Sequence, residues 1–234
     1  MKSLKIFTAS AIVAAFVLVG GDGVQLAAQE RPSEVSALNQ DPKTLAILPF
    51  ENNSITDPER YAPLSKGLSA MLITDLNQSG STLKLIERTK IQDLLKEMAL
   101  SLSGSVNEST AVSVGKVLGA QTIAFGSFIV LGGNVRIDVR IIKVETSELV
   151  MAESIMGKSD DFLDLERNLA KKIAGSLKMA FKPKTATPKS DINAALYFSK
   201  GLEAWDRGNK AEAKRFFDKC IELDHAYKEQ IDNL

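Results

Sequence analysis

The sequence has very few of the side chains that build catalytic and metal sites. It contains one histidine, His225, and one cysteine, Cys220, among 234 residues. A structural zinc site needs several cysteine and histidine ligands, and a Ser-His-Asp triad needs a histidine close to its serine. One cysteine also excludes a disulfide within the chain. We therefore expect no catalytic residues, no metal and no cofactor.

An excess of charge of one sign is also lacking. Lys+Arg and Asp+Glu both number 29, which leaves a formal net charge of +0. Domains that bind nucleic acid usually have a basic excess, so no nucleic-acid partner is expected. Gly115-Lys116 resembles the end of a phosphate loop, but Thr110 and Val117 stand where that motif needs glycine and a hydroxyl residue.

A hydrophobic run long enough for a transmembrane helix is missing too. The apolar run Ile6–Val19 follows a short basic start and precedes small residues up to Ala28. It is shorter than the roughly 20 residues that span a bilayer. This pattern predicts a signal peptide over residues 1–28 and a mature tail over 29–43. An uncleaved anchor is the alternative, and both alternatives imply export from the cytoplasm.

Residues 44–181 show the periodicity of one α/β (α+β) domain. TLAILPF at 44–50 and TLKLIER at 82–88 are typical strands, and the amphipathic helix between them favours a parallel pair. The full pattern is β-α-β-α-α-β-β-β-α, with the last helix beginning near Phe162. We expect a mixed sheet of about five strands with helices covering one face.

The last three strands predict an antiparallel meander with a charged side. Arg136, Asp138 and Arg140 alternate with β-branched residues, which is typical of a half-buried strand. Gly132-Gly133 can adopt the positive φ angles of a tight turn before that strand. A two-residue turn after it, at Thr146-Ser147, would place Arg140 opposite Glu153. The three charged residues are candidate partner contacts.

Charged residues near helix starts are interpreted as structural. Glu87-Arg88 joins the second strand to a helix, and no histidine or thiol lies nearby to make this pair catalytic. Ser105 and Glu108 have the spacing of a capping box. The pair Asp160-Asp161 suits the positive end of a helix dipole.

The C-terminal part is predicted to be separate from this domain. KPKTATPKS at 182–190 has the composition of a linker. Residues 191–234 predict a helical hairpin similar to one tetratricopeptide repeat, with repeat-like spacing of Tyr197, Gly201, Gly208, Ala213 and Phe217. A single repeat cannot bury its own face, so it must dock on the main domain, another subunit or a partner. Trp205 is a candidate contact, with internal packing as the alternative.

The ordered segments of residues 44–157 resemble a known family. TLAILPFENNS, LKLIERTKIQDLLKEM, VGKVLGAQTIAFGSF and VRIDVRIIKVETSELV follow one another as in the curli-secretion channel family CsgG, to which the penicillin-binding-protein activator LpoB is related. The resemblance implies a bacterial cell-envelope protein. It also implies a structural role for the Glu-Arg pair, which recurs in that family without known catalysis.

This sequence differs from the channel members of the CsgG family in two features that bear on its expected function. Its channel members have a cysteine directly after the signal peptide and membrane-spanning hairpins, whereas here FIVLGGNV alone separates Gly126-Ser127 from the next strand. We expect no lipid anchor and no pore. The prediction is a non-catalytic periplasmic assembly or binding module in secretion or envelope biogenesis, reaching the outer membrane through partners and with self-association open. The alternatives are a module docking on an envelope enzyme such as a penicillin-binding protein, and an enzyme.

Overall fold

A six-stranded mixed sheet with helices on both faces forms the centre of the molecule. The structure, a computed structural model, describes residues 44–78, 83–98, 106–181, 192–232 and 234. The strands are β1 (Thr44–Ile47), β2 (Glu51–Asn52), β3 (Lys84–Leu85), β4 (Thr122–Leu131), β5 (Asn134–Lys143) and β6 (Leu149–Lys158). The α-helices are α1 (Pro58–Tyr61), α2 (Leu64–Asn77), α3 (Arg88–Glu97), α4 (Glu108–Leu118), α5 (Phe162–Ser176), α6 (Ile192–Asp206), α7 (Lys210–Leu223) and α8 (Lys228–Asp232).

Several sequence predictions fall outside the described residues. They are the signal peptide at 1–28, the tail at 29–43, the linker at 182–190 and the capping role of Ser105. The first described turn of α4 is instead capped by Asn107, whose side chain accepts a hydrogen bond from the Thr110 amide at 2.9 Å. Asp161 occupies the N-cap position of α5, but its side chain makes no capping hydrogen bond.

The strand order is β3-β1-β4-β5-β6, with β2 paired to β4 beyond the end of β1. β1 runs parallel to β3 and β4, while β4, β5 and β6 form the predicted antiparallel meander. The mixed sheet predicted from the sequence is confirmed, and the predicted elements follow one another in the predicted order. Two short elements, strand β2 and helix α1, were not predicted. The two N-terminal strands are shorter than predicted.

Helices pack on both faces of the sheet, so the expectation of one covered face is wrong. The larger core lies between one face and helices α2, α5 and α6, and includes Ile47, Phe128, Val139 and Leu169. A smaller core lies between the opposite face and helices α3 and α4, and includes Leu48, Ile91 and Val114. The alternation along the strands fills both cores, because successive side chains point to opposite sides.

The C-terminal helices pack directly on the α/β part, and the described residues from Thr44 onward belong to one compact unit. Helix α6 crosses α2 so closely that a Cβ at Gly67 would meet the Ser199 side chain. The ring of Phe198 lies 5.5 Å from that of Tyr227, which is buried. Gln230 of α8 donates to Asp75 of α2 at 3.3 Å. The hairpin thus buries its apolar face against its own chain.

Candidate functional site

The outer sides of β4, β5 and β6 form a surface that we call the outer face. Its side chains belong to residues that lie opposite one another in the strand register, such as Ser127, Asp138 and Ser154. The outer face comprises Phe125, Ser127, Ile129 and Leu131 of β4, Asn134, Arg136, Asp138 and Arg140 of β5, and Ala152, Ser154, Met156 and Lys158 of β6. The alternate residues of β5 point the other way and are buried. Phe125 is buried in the smaller core under helices α3 and α4. The outer face is therefore the part of this sheet side that α3 and α4 leave largely uncovered, and the opposite side of the same strands builds the larger core.

A fixed ion pair lies at the centre of the outer face. Arg136 Nη2 donates to Asp138 Oδ1 at 2.7 Å, and Arg136 Nε lies 3.0 Å from both carboxylate oxygens. Partial burial alone would raise the pKa of Asp138, but hydrogen bonds from Arg136 and Ser154 outweigh it and hold this pKa below its usual range. The hydrogen bond to Asp138 raises the pKa of Arg136. Both groups are therefore charged and oriented at neutral pH.

Arg140 is the cation that remains available on this surface. It is exposed and makes no hydrogen bond or ion pair with the residues that the structure describes. Its charge contributes to holding the pKa of Asp138 low. An exposed guanidinium with free donors can bind a carboxylate through two parallel hydrogen bonds.

An open cleft of about 660 Å³ lies over this part of the sheet. Its floor includes Phe125 and the Arg136–Asp138 pair, and one wall is the start of α4 with Asn107 and Glu108. Glu51 of β2 and Glu153 of β6 also line it. The cleft thus combines the acidic residues Glu51, Glu108 and Asp138 with Arg136 and Arg140, whereas the carboxylate of Glu153 binds Lys172 on the other side of the sheet. No sequence pattern indicated that Glu51, Asn107 and Glu108 contribute to the cleft, because these distant segments meet only in the folded chain.

The other end of the outer face, near the Gly132-Gly133 turn, is apolar. Leu131 is 56% exposed and Met156 is 67% exposed. Ile55 is exposed at the same end, next to Ser54, whose hydroxyl accepts a hydrogen bond from the Val130 amide. A cleft with charges at one end and exposed apolar side chains at the other is typical of a protein-binding surface.

The register at the edge of the sheet differs from the one predicted. Arg140 lies opposite Ala152, and Glu153 lies opposite Val139. The connection between β5 and β6 runs over 144–148, and a bulge shifts the register after Ile141. The predicted Arg140–Glu153 pair is therefore wrong. Glu153 binds Lys172 of α5 at 2.7 Å.

Both turns of the meander contain residues with positive φ angles. Gly132 and Gly133 have φ angles of 55° and 78°, which permits the tight β4–β5 turn. Ser147 has a φ of 57° in the wider β5–β6 connection. A non-glycine residue rarely adopts this conformation, and the Ser147 amide donates to the Lys143 carbonyl at 2.9 Å.

Trp205 lies away from the outer face. It stands near the C-terminal end of α6, is 38% exposed, and has the ammonium of Lys210 at 5.6 Å from its ring centroid. The structure thus brings Arg136, Asp138 and Arg140 together and leaves the fourth candidate contact elsewhere.

Arg88 connects two distant segments, while Glu87 faces solvent. Arg88 Nη1 donates to both carboxylate oxygens of Asp206 at 2.8 Å. The two side chains are 12% and 9% exposed. Glu87 occupies the N-cap position of α3 without a capping hydrogen bond. Arg88 thereby fixes the start of α3 to the end of α6, a contact between residues far apart in sequence.

Side chains with catalytic or metal-binding potential are not gathered in the described part of the chain. No group of three or more His, Cys, Asp or Glu residues there could hold a metal ion. Cys220 is buried, and burial raises the pKa of its thiol far above the ordinary value. His225 is exposed in a short 3₁₀ turn between α7 and α8. No described helix is long and apolar enough to cross a membrane.

A family model matches about the first two thirds of the α/β part. Residues 35–137 match the family model of the curli production assembly/transport component CsgG. This confirms the resemblance to the CsgG family over that range. The match includes β1 to β4 and the first residues of β5, so part of the outer face lies within it. No curated protein matches the chain.

Solved structures with similar folds include proteins from several bacteria. The LpoB C-terminal domain from Salmonella enterica is 15% identical, with a TM-score of 0.38 over 53% of this chain and 92% of that one. A lipoprotein from Neisseria meningitidis is 14% identical, with a TM-score of 0.44 over 58% and 99%. The PelC dodecamer from Paraburkholderia phytofirmans is 12% identical, with a TM-score of 0.36 over 58% and 86%.

Proposed function

We propose that this protein is a non-catalytic binding module of the bacterial cell envelope, acting in secretion or envelope biogenesis. The observation that carries the proposal is the outer face of β4, β5 and β6, an uncovered surface with a charged cleft and an apolar end. The CsgG match over 35–137 supports the envelope assignment. The partners are other envelope proteins, and association with the outer membrane comes through them.

The chemistry of the outer face supports protein binding over binding of a small molecule. Arg136 is held in place by Asp138, so docking costs little additional side-chain entropy. Arg140 offers free donors beside it, and Leu131 and Met156 offer apolar area at the other end. Interfaces combine such apolar contacts with arginine and a polar rim. The cleft is open to solvent and not enclosed as a ligand pocket is.

The packing of the meander supports a module without its own pore. The inward side chains of β5, among them Val135, Ile137 and Val139, are fully buried in the larger core. Gly132-Gly133 closes the hairpin directly between β4 and β5. On the outer face, Arg136, Asp138 and Arg140 are charged, and charged side chains destabilise a strand whose face is turned to lipid. These strands therefore serve as a docking surface.

Site-specific photo-crosslinking in the producing bacterium tests the proposal. A photoreactive residue at Leu131, on the outer face, should capture an envelope protein. The matched control is Leu223 of α7, which is exposed to nearly the same extent, 53% against 56%. Mass spectrometry of the product identifies the partner. Capture of a cell-wall synthase would favour a module that docks on an envelope enzyme. Capture of secretion or assembly proteins would favour a role in secretion or envelope biogenesis.

The same experiment can contradict the proposal. Equal products at Leu131 and Leu223 would mean that the outer face has no special role. If the protein is folded and present in the envelope fraction but gives no product at Leu131, the outer face does not bind an envelope protein.

A further inference from the structure

Strand β6 is one of the two edge strands in the order β3-β1-β4-β5-β6, and β3 at the other end has only two residues. Among the described residues the one neighbouring strand of β6 is β5. Strand edges present unpaired amide and carbonyl groups that can pair with another strand, and proteins usually protect them with bulges, lysines or prolines. At ten residues, β6 is as long as β4 and β5. An edge of this length needs either protection or a partner.

The protective features of β6 lie only at its two ends. The register shift places a bulge at Val150, next to the start of the strand, and Lys158 is its last residue. The seven residues between them, Met151–Gly157, pair regularly with β5 and contain no proline. Their one charged side chain, Glu153, is bound by Lys172 at 2.7 Å. The middle of the edge is therefore open to strand pairing.

We propose that a second copy of this chain pairs with β6 through its own β6, in antiparallel orientation. The segment Met151–Gly157 is symmetric about Ser154, so Ser154 would lie on the two-fold axis opposite its own symmetry mate. In this register Ala152 faces Met156 of the other copy, and Glu153 faces Ile155. No charged residue of the segment meets a like charge. The chain has a net charge of +0, so long-range repulsion does not oppose the contact.

This register keeps the two outer faces on one side of the joined sheet. Residues that pair in an antiparallel ladder point to the same side, and Ala152, Ser154 and Met156 all belong to the outer face. The pairing joins the two meanders, six strands in all, into one sheet, with two copies of the Arg136–Asp138 pair on one surface. The proposal does not rest on the proposed envelope function, because it concerns purified protein alone.

Disulfide trapping tests the register. Ser154→Cys places two thiols opposite each other, with Cα atoms on the order of 5 Å apart, within reach of a disulfide. Ala152→Cys is the control, because it would lie roughly 14 Å from its symmetry mate. Under mild oxidation the first variant should form a covalent dimer and the second should not, whereas a mixture of Ala152→Cys and Met156→Cys chains should cross-link. Cys220 is buried in all of them.

Charge variants test the same pairing without oxidation. In the proposed dimer, Ala152→Glu combined with Met156→Glu places two carboxylates opposite each other at two places in the interface. Within one chain, the new carboxylate at position 152 lies opposite Arg140 and the one at position 156 lies opposite Arg136, so the fold itself should tolerate both changes. Sedimentation should show a dimer dissociation constant at least about tenfold higher than that of the parent chain. The combination Ala152→Glu with Met156→Lys should retain the dimer.

Three results would overturn the proposal. In the first, the parent chain sediments as a monomer at every concentration tested, and oxidised Ser154→Cys yields no more covalent dimer than oxidised Ala152→Cys. Another is equal weakening by both charge combinations, since the register predicts opposite effects. The third is a dimer that forms normally when both positions carry glutamate. The unfolding free energy of each variant, measured in urea, controls for loss of the fold.

Discussion

The two sides of strand β5 differ in almost every respect, although their residues alternate along the same ten positions. Val135, Ile137 and Val139 are buried in the larger core. Arg136 and Arg140 are exposed, and the ion pair of Arg136 with Asp138 lies at the surface. The inner side thus stabilises the fold, and the outer side is available for binding. A single strand can serve both purposes because its side chains alternate with a period of two.

The largest expected effect comes from breaking the inner side. Ile137→Ala removes a fully buried side chain and should lower the free energy of unfolding by about 3 to 4 kcal/mol. Changing its neighbour Arg136 to alanine should lower the free energy of unfolding far less, because the ion pair of Arg136 is exposed. Urea unfolding of both variants measures the difference. Similar losses for the two would contradict the division between the sides.

The two arginine–aspartate pairs of the molecule sharpen the same comparison. Arg88→Ala should cost about 2 kcal/mol, because it leaves Asp206 nearly buried without its partner. Asp138→Ala should cost less, since the Arg136–Asp138 pair is open to solvent. A double-mutant cycle on each pair, read from urea unfolding, gives the two coupling energies. A larger coupling for the surface pair would show that burial does not set the difference.

A smaller effect is expected from pH. The pKa of Asp138 is lower in the folded chain than its usual value, so the folded state favours the charged carboxylate. Its contribution to stability is complete above the ordinary aspartate pKa and is lost as pH falls through the lowered folded value. The difference in unfolding free energy between the parent and Asp138→Asn should therefore be below about 1 kcal/mol at pH 7 and shrink toward acid. A difference that grows on acidification would contradict the linkage.

The sequence predicted what depends on local pattern. The alternation along β5 predicted both the strand and the charged side, and Gly132-Gly133 predicted the turn. The turn after β5 was predicted too short, since the connection runs over 144–148, and the bulge at Val150 was not predicted. That error shifted the expected partner of Arg140.

Contacts between distant segments could not be predicted from periodicity. Asp206 binds Arg88 across more than a hundred residues, and nothing near either residue indicates the other. The cleft is likewise completed by Glu51 and by the start of α4 at Asn107, which reach the outer face only through the crossovers of the sheet. The charged residues of the outer face could be predicted from the sequence, but the residues from other segments that line the cleft could not.

In the proposed function, the inner side of β5 stabilises the fold and the outer side binds a partner. This division is tested most directly by measuring the yield of the Leu131 photo-crosslink in a variant whose outer-face arginines are reversed in charge. Arg136→Glu combined with Arg140→Glu should abolish capture of the envelope partner, while the protein remains folded. The matched control reverses two exposed cations elsewhere, Lys171→Glu with Arg215→Glu, and should leave the yield unchanged. Undiminished capture by the outer-face variant, or equal loss in the control, would contradict the assignment of this surface to binding.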